Sequence, residues 1–412
     1  MPSQLTWIDH DNAARERSLK ILALFQERES RDELGLGGVR DSISDQLFPG
    51  TSTIQTRLRY MLFVPWIYRK LEIEKVPPGE FAARADRMER FLVGPLLAAD
   101  DRSGVFGKTA GKGIKRLPSS VYWSAFGSWG IRLMNASQDE YHRQIGVLYH
   151  RRAEQRARDA ERAKNGDDSD SSPAPGTLSW HPRLPSPPIG FPDNVTFSLS
   201  QEEASFLLDR IQRSHPESLL AHLALHCTPV DVSAPWLHPD QADFSTHHRE
   251  LLTHGRLFSD VMHGAALIYN IALSKLGNRD DKVQDYQLAF AQWHDSLNQD
   301  EIRAWGLPRL WELVIDHGHT ITPATRLFIE RWQDLLVSHG AAVLEKAEAI
   351  ELIRRRERSL KKGRSRFDNR RALDQWKGAS GLGRMVYRWS TAKVFLKDLH
   401  DGLSKETVHA ES

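Results

Sequence analysis

Apolar residues recur at helical spacing along most of the chain. Residues 13–28 carry such a face, formed by Leu19, Leu22, Ala23 and Phe25. The widest apolar face lies within Leu251–Leu276, and further helices are predicted over Glu80–Leu97 and Gly340–Leu360. Because positions three and four apart share one side of a helix, these patterns predict amphipathic helices. We therefore predict a mainly α, multi-domain helical protein.

Capping residues mark three of the predicted helix starts. Ser137-Gln138-Asp139-Glu140 and Ser200-Gln201-Glu202-Glu203 have the spacing of capping boxes, in which the first and fourth residues satisfy each other's backbone N–H groups. Thr322-Pro323 places a capping threonine before a proline at the first helical position. These signals predict helices that begin at 138, 201 and 323.

A proline-rich segment gives the best domain boundary. Seven prolines and an Asp/Ser run lie within Asn165–Asn194, where the apolar periodicity is lost. Basic loops and an aromatic tail between Ser103 and Trp129 suit small winged-helix-like DNA-binding elements. We predict an N-terminal helical domain over 1–164, a Pro-rich linker or loop over 165–195, a helical middle domain over 196–345 and a basic C-terminal DNA-binding segment over 346–412.

Composition indicates a globular protein of the cytoplasm. The 412 residues are 40% hydrophobic and 27% charged, with a formal net charge of +2. Cys227 is the only cysteine, which excludes a disulfide framework within the chain and favours a reducing compartment. The N-terminus lacks a basic region followed by an apolar core, and no apolar run approaches the ~20 residues of a membrane span. We therefore expect a cytoplasmic protein without a membrane partner.

The positive charge is concentrated near the C-terminus. Between Arg354 and Lys397 there are fifteen Lys or Arg residues and three acids. Because solvated helix faces normally mix both signs, this excess favours binding to double-stranded DNA through its phosphates. The predicted DNA-binding residues are Arg354, Arg355, Arg356, Arg358, Lys361, Lys362, Arg364, Arg366, Arg370, Arg371 and Arg388.

Several common chemistries find no support in the sequence. Gly107-Lys108-Thr109 suggests a phosphate-binding loop, but Arg102 stands where that motif requires its first glycine. His222 and His226 have the spacing of metal ligands on a helix, yet Leu223 replaces the glutamate of zinc proteases. Cys227 has no activating context. We predict neither a metal nor another cofactor.

The densest mixture of charge and turn residues lies between Arg31 and Tyr60. Arginine, aspartate and glycine alternate there, and a Pro-Gly turn and a run of small hydroxyl residues follow. Such a stretch delivers polar groups to the start of a buried helix, which is one way to form a site. The alternative is a charged loop that is closed by local salt bridges and followed by a helix cap. Candidate carboxylates are Asp32, Glu33, Asp41 and Asp45.

This stretch and several later motifs resemble a bacterial family catalogued as a domain of unknown function. The resemblance covers most of the chain and is carried by Arg31–Gly35, Arg40-Asp41, Phe48–Arg57, Arg59-Tyr60, Phe63–Tyr68, Pro118–Trp123, Trp376, Gly378 and Tyr387–Trp389. That family in turn resembles antiphage DNA glycosylases, which remove glucosylated hydroxymethylcytosine from phage DNA. Ile54–Arg57 is also similar to the Gln-x-Gln or Gln-x-Asp segment of bacterial alkylpurine and crosslink glycosylases, although Arg57 replaces the second polar residue.

The resemblance implies a monofunctional DNA glycosylase that flips a modified base out of phage DNA and leaves an abasic site. Cleavage of the N-glycosidic bond passes through a sugar cation, which a carboxylate or an oriented amide can stabilise. The expected catalytic residues are Gln55, Asp32 and Asp41. The expected substrate-binding residues are Arg40, Arg57, Tyr60 and Trp66. The alternative function is a non-enzymatic DNA-binding protein of a defence or regulatory system.

Overall fold

The regular secondary structure of the described chain is helical, which confirms the mainly α prediction. A computed structural model describes residues 32–108, 111–164, 176–315 and 317–405, and these contain no β-strand. The amphipathic helix predicted over 13–28 lies outside these residues. The winged-helix-like arrangement stays a prediction, since the described part has no strand in which a wing could be recognised. No helix in that part is long and apolar enough to span a membrane.

The described chain forms two compact units, each assembled from separate segments. Unit 1 combines the described residues up to Ile43 with Glu250–Met385, and unit 2 combines Ser44–Arg249 with the chain from Val386 onward. The four regions predicted from composition were contiguous, whereas these units interleave along the sequence. Composition did not reveal this because it records local bias and carries no information on which distant segments pack together.

The α-helices are numbered here in chain order. The first eight are α1 Gly37–Leu47, α2 Tyr60–Ile73, α3 Pro78–Phe91, α4 Val93–Ala98, α5 Pro118–Ser128, α6 Gln138–Lys164, α7 Gln201–Ser214 and α8 Leu219–His226. The remaining helices are α9 Thr246–Leu276, α10 Asp280–Asp295, α11 Gln299–Ala304, α12 Leu307–Val314, α13 Pro323–His339, α14 Ala347–Lys361, α15 Arg370–Asp374 and α16 Trp389–Leu403. The starts of α6, α7 and α13 confirm the three predicted capping sites.

Helix α2 forms the centre of unit 2. It is buried over almost its whole length, and Pro65 lies within it without ending it. Tyr60 contacts the rings of Phe106, Tyr122 and Phe197 at centroid distances of 5.0–5.6 Å. Because α2 is apolar on all sides, its burial among these aromatic rings supplies most of the stability of the helix.

Buried Glu72, near the end of α2, holds the middle of the proline-rich segment in place within unit 2. Its carboxylate accepts hydrogen bonds from Ser179 Oγ at 2.7 Å and Trp180 Nε1 at 2.9 Å, and it pairs with Arg152 at 2.6 Å. Tyr141 also donates to it. Because Ser179 and Trp180 are buried, the described part of the predicted linker is not uniformly exposed.

Helix α9 is the main core element of unit 1. The apolar face predicted within Leu251–Leu276 is buried, and Trp332 Nε1 donates to the Val261 carbonyl at 2.8 Å. Gly264 permits close approach of the Trp293 ring, since a Cβ at this position would lie 2.1 Å from it. Three polar residues of the same helix, Ser259, His263 and Tyr269, line a cavity within unit 1.

Candidate functional site

The loop before α1 is held in place at both ends by hydrogen bonds. The two Asp32 carboxylate oxygens accept the backbone N–H groups of Leu36 at 2.8 Å and Gly37 at 2.6 Å, which satisfies donors at the start of α1. Arg356, a buried residue of α14, donates to the carbonyls of Leu34 at 2.9 Å and Gly35 at 3.1 Å. The orientations of Asp32 and of the adjacent Glu33 are therefore fixed.

Glu33 is a buried carboxylate surrounded by cations. Only 5% of the residue is exposed, and its side chain pairs with Lys361 and, at 2.7 Å, with Arg366. The hydroxyl of Tyr269 lies 3.4 Å from the same carboxylate. Two cations compensate for the burial of this charge, which an isolated carboxylate would not tolerate.

A second carboxylate, Glu357, lies on the other side of Tyr269. It is fully buried and accepts the Arg366 backbone N–H at 2.9 Å, and the Tyr269 hydroxyl lies 3.3 Å from it. Its Oε2 has no hydrogen-bond partner among the described residues. Burial raises the pKa of Tyr269, so its hydroxyl remains protonated and can act as a donor.

Lys361 experiences opposing electrostatic effects. Burial lowers its pKa to about 7, and nearby Arg366 and Arg364 act in the same direction. The contact with the Glu33 carboxylate favours the charged ammonium instead. The nearby Asp32 carboxylate also raises the Lys361 pKa, so the charge of the ammonium depends on both carboxylates.

Asp32 and Glu33 line a cavity of about 240 Å³, which we call the acidic pocket. Its other polar lining residues include Tyr269, His263 and Arg40, and the remainder is largely apolar. Burial, together with Arg384, lowers the pKa of His263 to about 4, so the imidazole is neutral near pH 7. No described residue makes a hydrogen bond to His263, which leaves its ring nitrogens available to a ligand.

A larger, more open cavity of about 640 Å³ adjoins the acidic pocket at Asp32, which lines both. We call it the basic groove. Its polar lining residues are Asp32, Lys361, Arg364, Arg366, Asn369, Arg371 and Gln375. A groove with four cations suits a polyanion, and the carboxylate of Asp32 lies where this groove meets the acidic pocket.

The three expected catalytic residues occupy different environments. Asp32 is half-buried at the acidic pocket, whereas Asp41 is buried and forms a two-pronged pair with Arg40 at 3.0 and 3.2 Å. Gln55 belongs to unit 2, is 4% exposed and closes its own loop. Its Oε1 accepts the Ser52 N–H at 2.9 Å and its Nε2 donates to the Gly50 carbonyl at 3.2 Å.

The expected substrate-binding residues of unit 2 are engaged in internal contacts. Arg57 pairs with Asp398 and Asp101. Tyr60 accepts the Phe106 N–H at 3.1 Å, and Trp66 donates to the Pro185 carbonyl at 2.7 Å. Of the four expected substrate-binding residues, Arg40 alone lines the acidic pocket.

Acidic residues pair with many of the predicted DNA-binding cations. Arg354 and Arg355 contact Glu351, Arg358 contacts Asp368, and Arg370 contacts Asp374. Arg356 is buried, and Arg388 pairs with Asp45 in unit 2. Lys361, Arg364, Arg366 and Arg371 line the basic groove, while Lys362 is exposed.

Three residues of this site were not among the sequence candidates: His263, Tyr269 and Glu357. Tyr269 belongs to the apolar face predicted within α9, His263 lies in the same helix, and Glu357 interrupts the basic run of α14. All three residues were visible in the sequence. Their meeting with Glu33 was not, because the residues are separated by more than 200 positions.

The chain belongs to a family of unknown function, DUF6361. The family model matches residues 2–146 and 170–403, which is most of the chain. Comparison with curated proteins and with solved structures found no match.

Proposed function

We propose that this member of the family is a DNA glycosylase that removes a modified base, glucosylated hydroxymethylcytosine, from phage DNA and leaves an abasic site in antiviral defence. The observation that carries the proposal is that a pocket with carboxylates adjoins a basic groove at Asp32. A glycosylase needs both features, since it binds the DNA backbone and acts on a base that has left the stack.

Asp32 is the proposed catalytic carboxylate. Two backbone N–H groups fix its position, and it lies at the boundary of the two cavities, where the sugar of a flipped nucleotide would sit. A preorganised negative charge at that point stabilises the sugar cation that forms as the N-glycosidic bond breaks. Asp32 would also orient the attacking water. The ion pairs of Glu33 assign it a positioning role, in which it holds Lys361 and Arg366.

The acidic pocket is the proposed site for the base. Its volume of about 240 Å³ is below the roughly 300–1,000 Å³ of pockets for drug-sized ligands and suits a group of one ring. Neutral His263 can donate or accept a hydrogen bond at a base edge. The glucose carried by the hydroxymethyl group of the base would extend toward the basic groove.

The basic groove is the proposed binding surface for the DNA backbone. Arg364 and Arg371 are exposed there, so a phosphate can reach them. Arginine binds phosphate oxygens through paired N–H groups. Lys361 and Arg366 line the same groove but are also bound to Glu33.

The test is incubation of the purified full-length protein with glucosylated, hydroxymethylated and unmodified DNA of one sequence, followed by alkali. We expect alkali-labile sites in the glucosylated DNA and none in the unmodified DNA. Boiled protein and a no-protein sample are the controls for spontaneous base loss. The absence of abasic sites on all three DNAs would contradict the proposal.

A non-enzymatic DNA-binding function has one observation in its favour. Glu33 pairs with Lys361 and Arg366, and Arg356 donates to the carbonyls of the same loop, so the stretch also has the properties of a salt-bridged scaffold. This function predicts that the protein binds DNA in the basic groove and leaves all three substrates intact in the same assay.

A further inference from the structure

A cysteine, a histidine and an aspartate converge in unit 2, in the part of the chain that separates α8 from α9. Cys227 follows directly after α8, while His238 and Asp240 lie at short 3₁₀ turns over Pro235–Leu237 and Pro239–Asp243. One ligand atom from each of the three side chains lies within 4.8 Å of the other two. These residues belong to none of the elements discussed for base excision.

We propose that Cys227, His238 and Asp240 bind a divalent transition-metal ion, with Zn²⁺ as the best fit. Thiolate, imidazole and carboxylate are all zinc ligands, and a thiolate argues against Mg²⁺ or Ca²⁺. Tetrahedral zinc with bonds of roughly 2.0–2.3 Å separates its ligand atoms by roughly 3.5 Å. The three side chains therefore need to close by only about 1 Å.

Local geometry already positions the histidine. His238 is buried, and its Nδ1 accepts the backbone N–H of Asp240 at 3.2 Å and lies 3.8 Å from the Asp240 carboxylate. Ligands that the fold holds close together lose little conformational freedom when a metal binds. The two-residue spacing of His238 and Asp240 therefore keeps these two ligands close together before a metal binds.

A small cavity adjoins two of the three proposed ligands. Its volume is about 10 Å³, close to that of one water-sized sphere, and Cys227 and His238 line it. Lys393 also borders this cavity, but its ammonium pairs with Asp231 at 2.6 Å. The cation that lines this cavity is therefore already paired with a carboxylate.

His222 provides an additional donor near the three ligands. Its Nε2 is buried and has no hydrogen-bond partner in the described chain. The His222 and His238 rings both contact Phe244, at 5.5 and 5.4 Å between centroids. Asp240 is partly exposed, so the fourth metal position is accessible either to this imidazole or to water.

A metal at this position would connect the end of α8 to the loop that precedes α9. Ion binding to the folded state alone stabilises that state by mass action. The inferred role is structural and concerns unit 2, so it does not rest on the proposed glycosylase activity.

The experiment is a titration of the full-length, tag-free, chelator-treated protein with Co²⁺, which reports its own ligands by absorption. We expect one equivalent per chain, visible bands of a tetrahedral ion and a near-ultraviolet thiolate-to-cobalt band, all displaced by Zn²⁺. Cys227→Ser should lose the thiolate band, and Asp240→Asn should weaken binding by at least tenfold. Zinc should raise the melting temperature of the wild type and leave that of Cys227→Ser unchanged.

The matched control is His150→Ala, which removes an exposed histidine of α6 that pairs with Glu154. It should bind Co²⁺ as the wild type does. Circular dichroism of each variant establishes that it is folded before titration. Absence of Co²⁺ binding by the wild type, or an unchanged thiolate band in Cys227→Ser, would overturn the proposal.

Discussion

Arg57 and Asp398 form a two-pronged ion pair, although 341 residues separate them in the sequence. The nitrogen–oxygen distances are 3.0 and 2.8 Å, and the side chains are 13% and 5% exposed. Asp398 also accepts the Leu58 N–H at 2.9 Å. The pair attaches α16 to the segment before α2, which gives Arg57 a structural role in unit 2.

We expect Asp398→Ala to lower the free energy of unfolding by about 3 kcal/mol, because it leaves the Leu58 N–H and much of the Arg57 charge without a partner. Urea denaturation would measure this change. Glu80→Ala is the control, since Glu80 forms an exposed pair with Arg84 and should change stability by less than about 1 kcal/mol. Equal effects of the two variants would contradict the structural role of the buried pair.

Glu89 should make the stability of the protein depend on pH. Burial raises its pKa from 4.5 to about 7, although Ser119 N–H donates to its Oε2 at 2.7 Å. The folded state therefore binds the proton more tightly than the unfolded state. Stability from this group is greatest below pH 4.5 and falls as pH rises through 7, by about 3 kcal/mol in total.

Denaturation of the wild type and of Glu89→Gln at pH 5 and pH 8 would measure this contribution. The variant cannot titrate at this position, so its stability should fall less between the two pH values. Other titrating groups are common to both proteins and cancel in the comparison. Identical pH dependence of the two proteins would show that Glu89 does not titrate in this range.

Arg364 and Arg371 should supply phosphate contacts in the basic groove. The double variant Arg364→Gln/Arg371→Ala should weaken binding to duplex DNA and reduce the log–log salt slope by roughly 1.8, or about 0.9 for each contact. Arg303→Ala, an exposed arginine of unit 1 that pairs with Asp300, is the charge control. A double variant with wild-type affinity and slope would place DNA binding elsewhere.

Gln55 should contribute to stability and not to chemistry. Gln55→Ala removes the two hydrogen bonds that close its loop, so we expect a loss of about 1–2 kcal/mol in the free energy of unfolding. Base excision by the folded variant, measured at a temperature well below its melting point, should equal that of the wild type. Loss of excision without loss of stability would instead show that Gln55 takes part in catalysis.

Local signals in the sequence predicted much of the helical framework. The Ser200–Glu203 capping box and the Thr322 cap are both formed, because such caps depend on residues within one turn. The run of small hydroxyl residues before α2 does not cap it, because α2 begins at Tyr60 after a non-helical segment. The tertiary contacts of that segment decided its conformation.

The candidate site was predictable only in part. The mixture of charge and glycine indicated Asp32 and Glu33, which line the acidic pocket, and the basic run indicated Lys361, Arg364 and Arg371. The pairing of Glu33 with Lys361 could not be read from the sequence, because it depends on the packing of elements over 300 residues apart. For the same reason, the interleaved units were not foreseen.

The most direct test of the catalytic account is the single-turnover rate of abasic-site formation by Asp32→Asn on glucosylated DNA. The amide retains an acceptor for the Leu36 N–H, but it removes the negative charge and the acceptor of the Gly37 N–H. Asp374→Asn, an exposed residue that pairs with Arg370, is the matched control. We expect Asp32→Asn to lower the rate by about 100-fold or more while DNA affinity stays within a few-fold, because the charge acts on the transition state. A folded Asp32→Asn variant that excises the base at the wild-type rate would contradict the assignment of this carboxylate as catalytic.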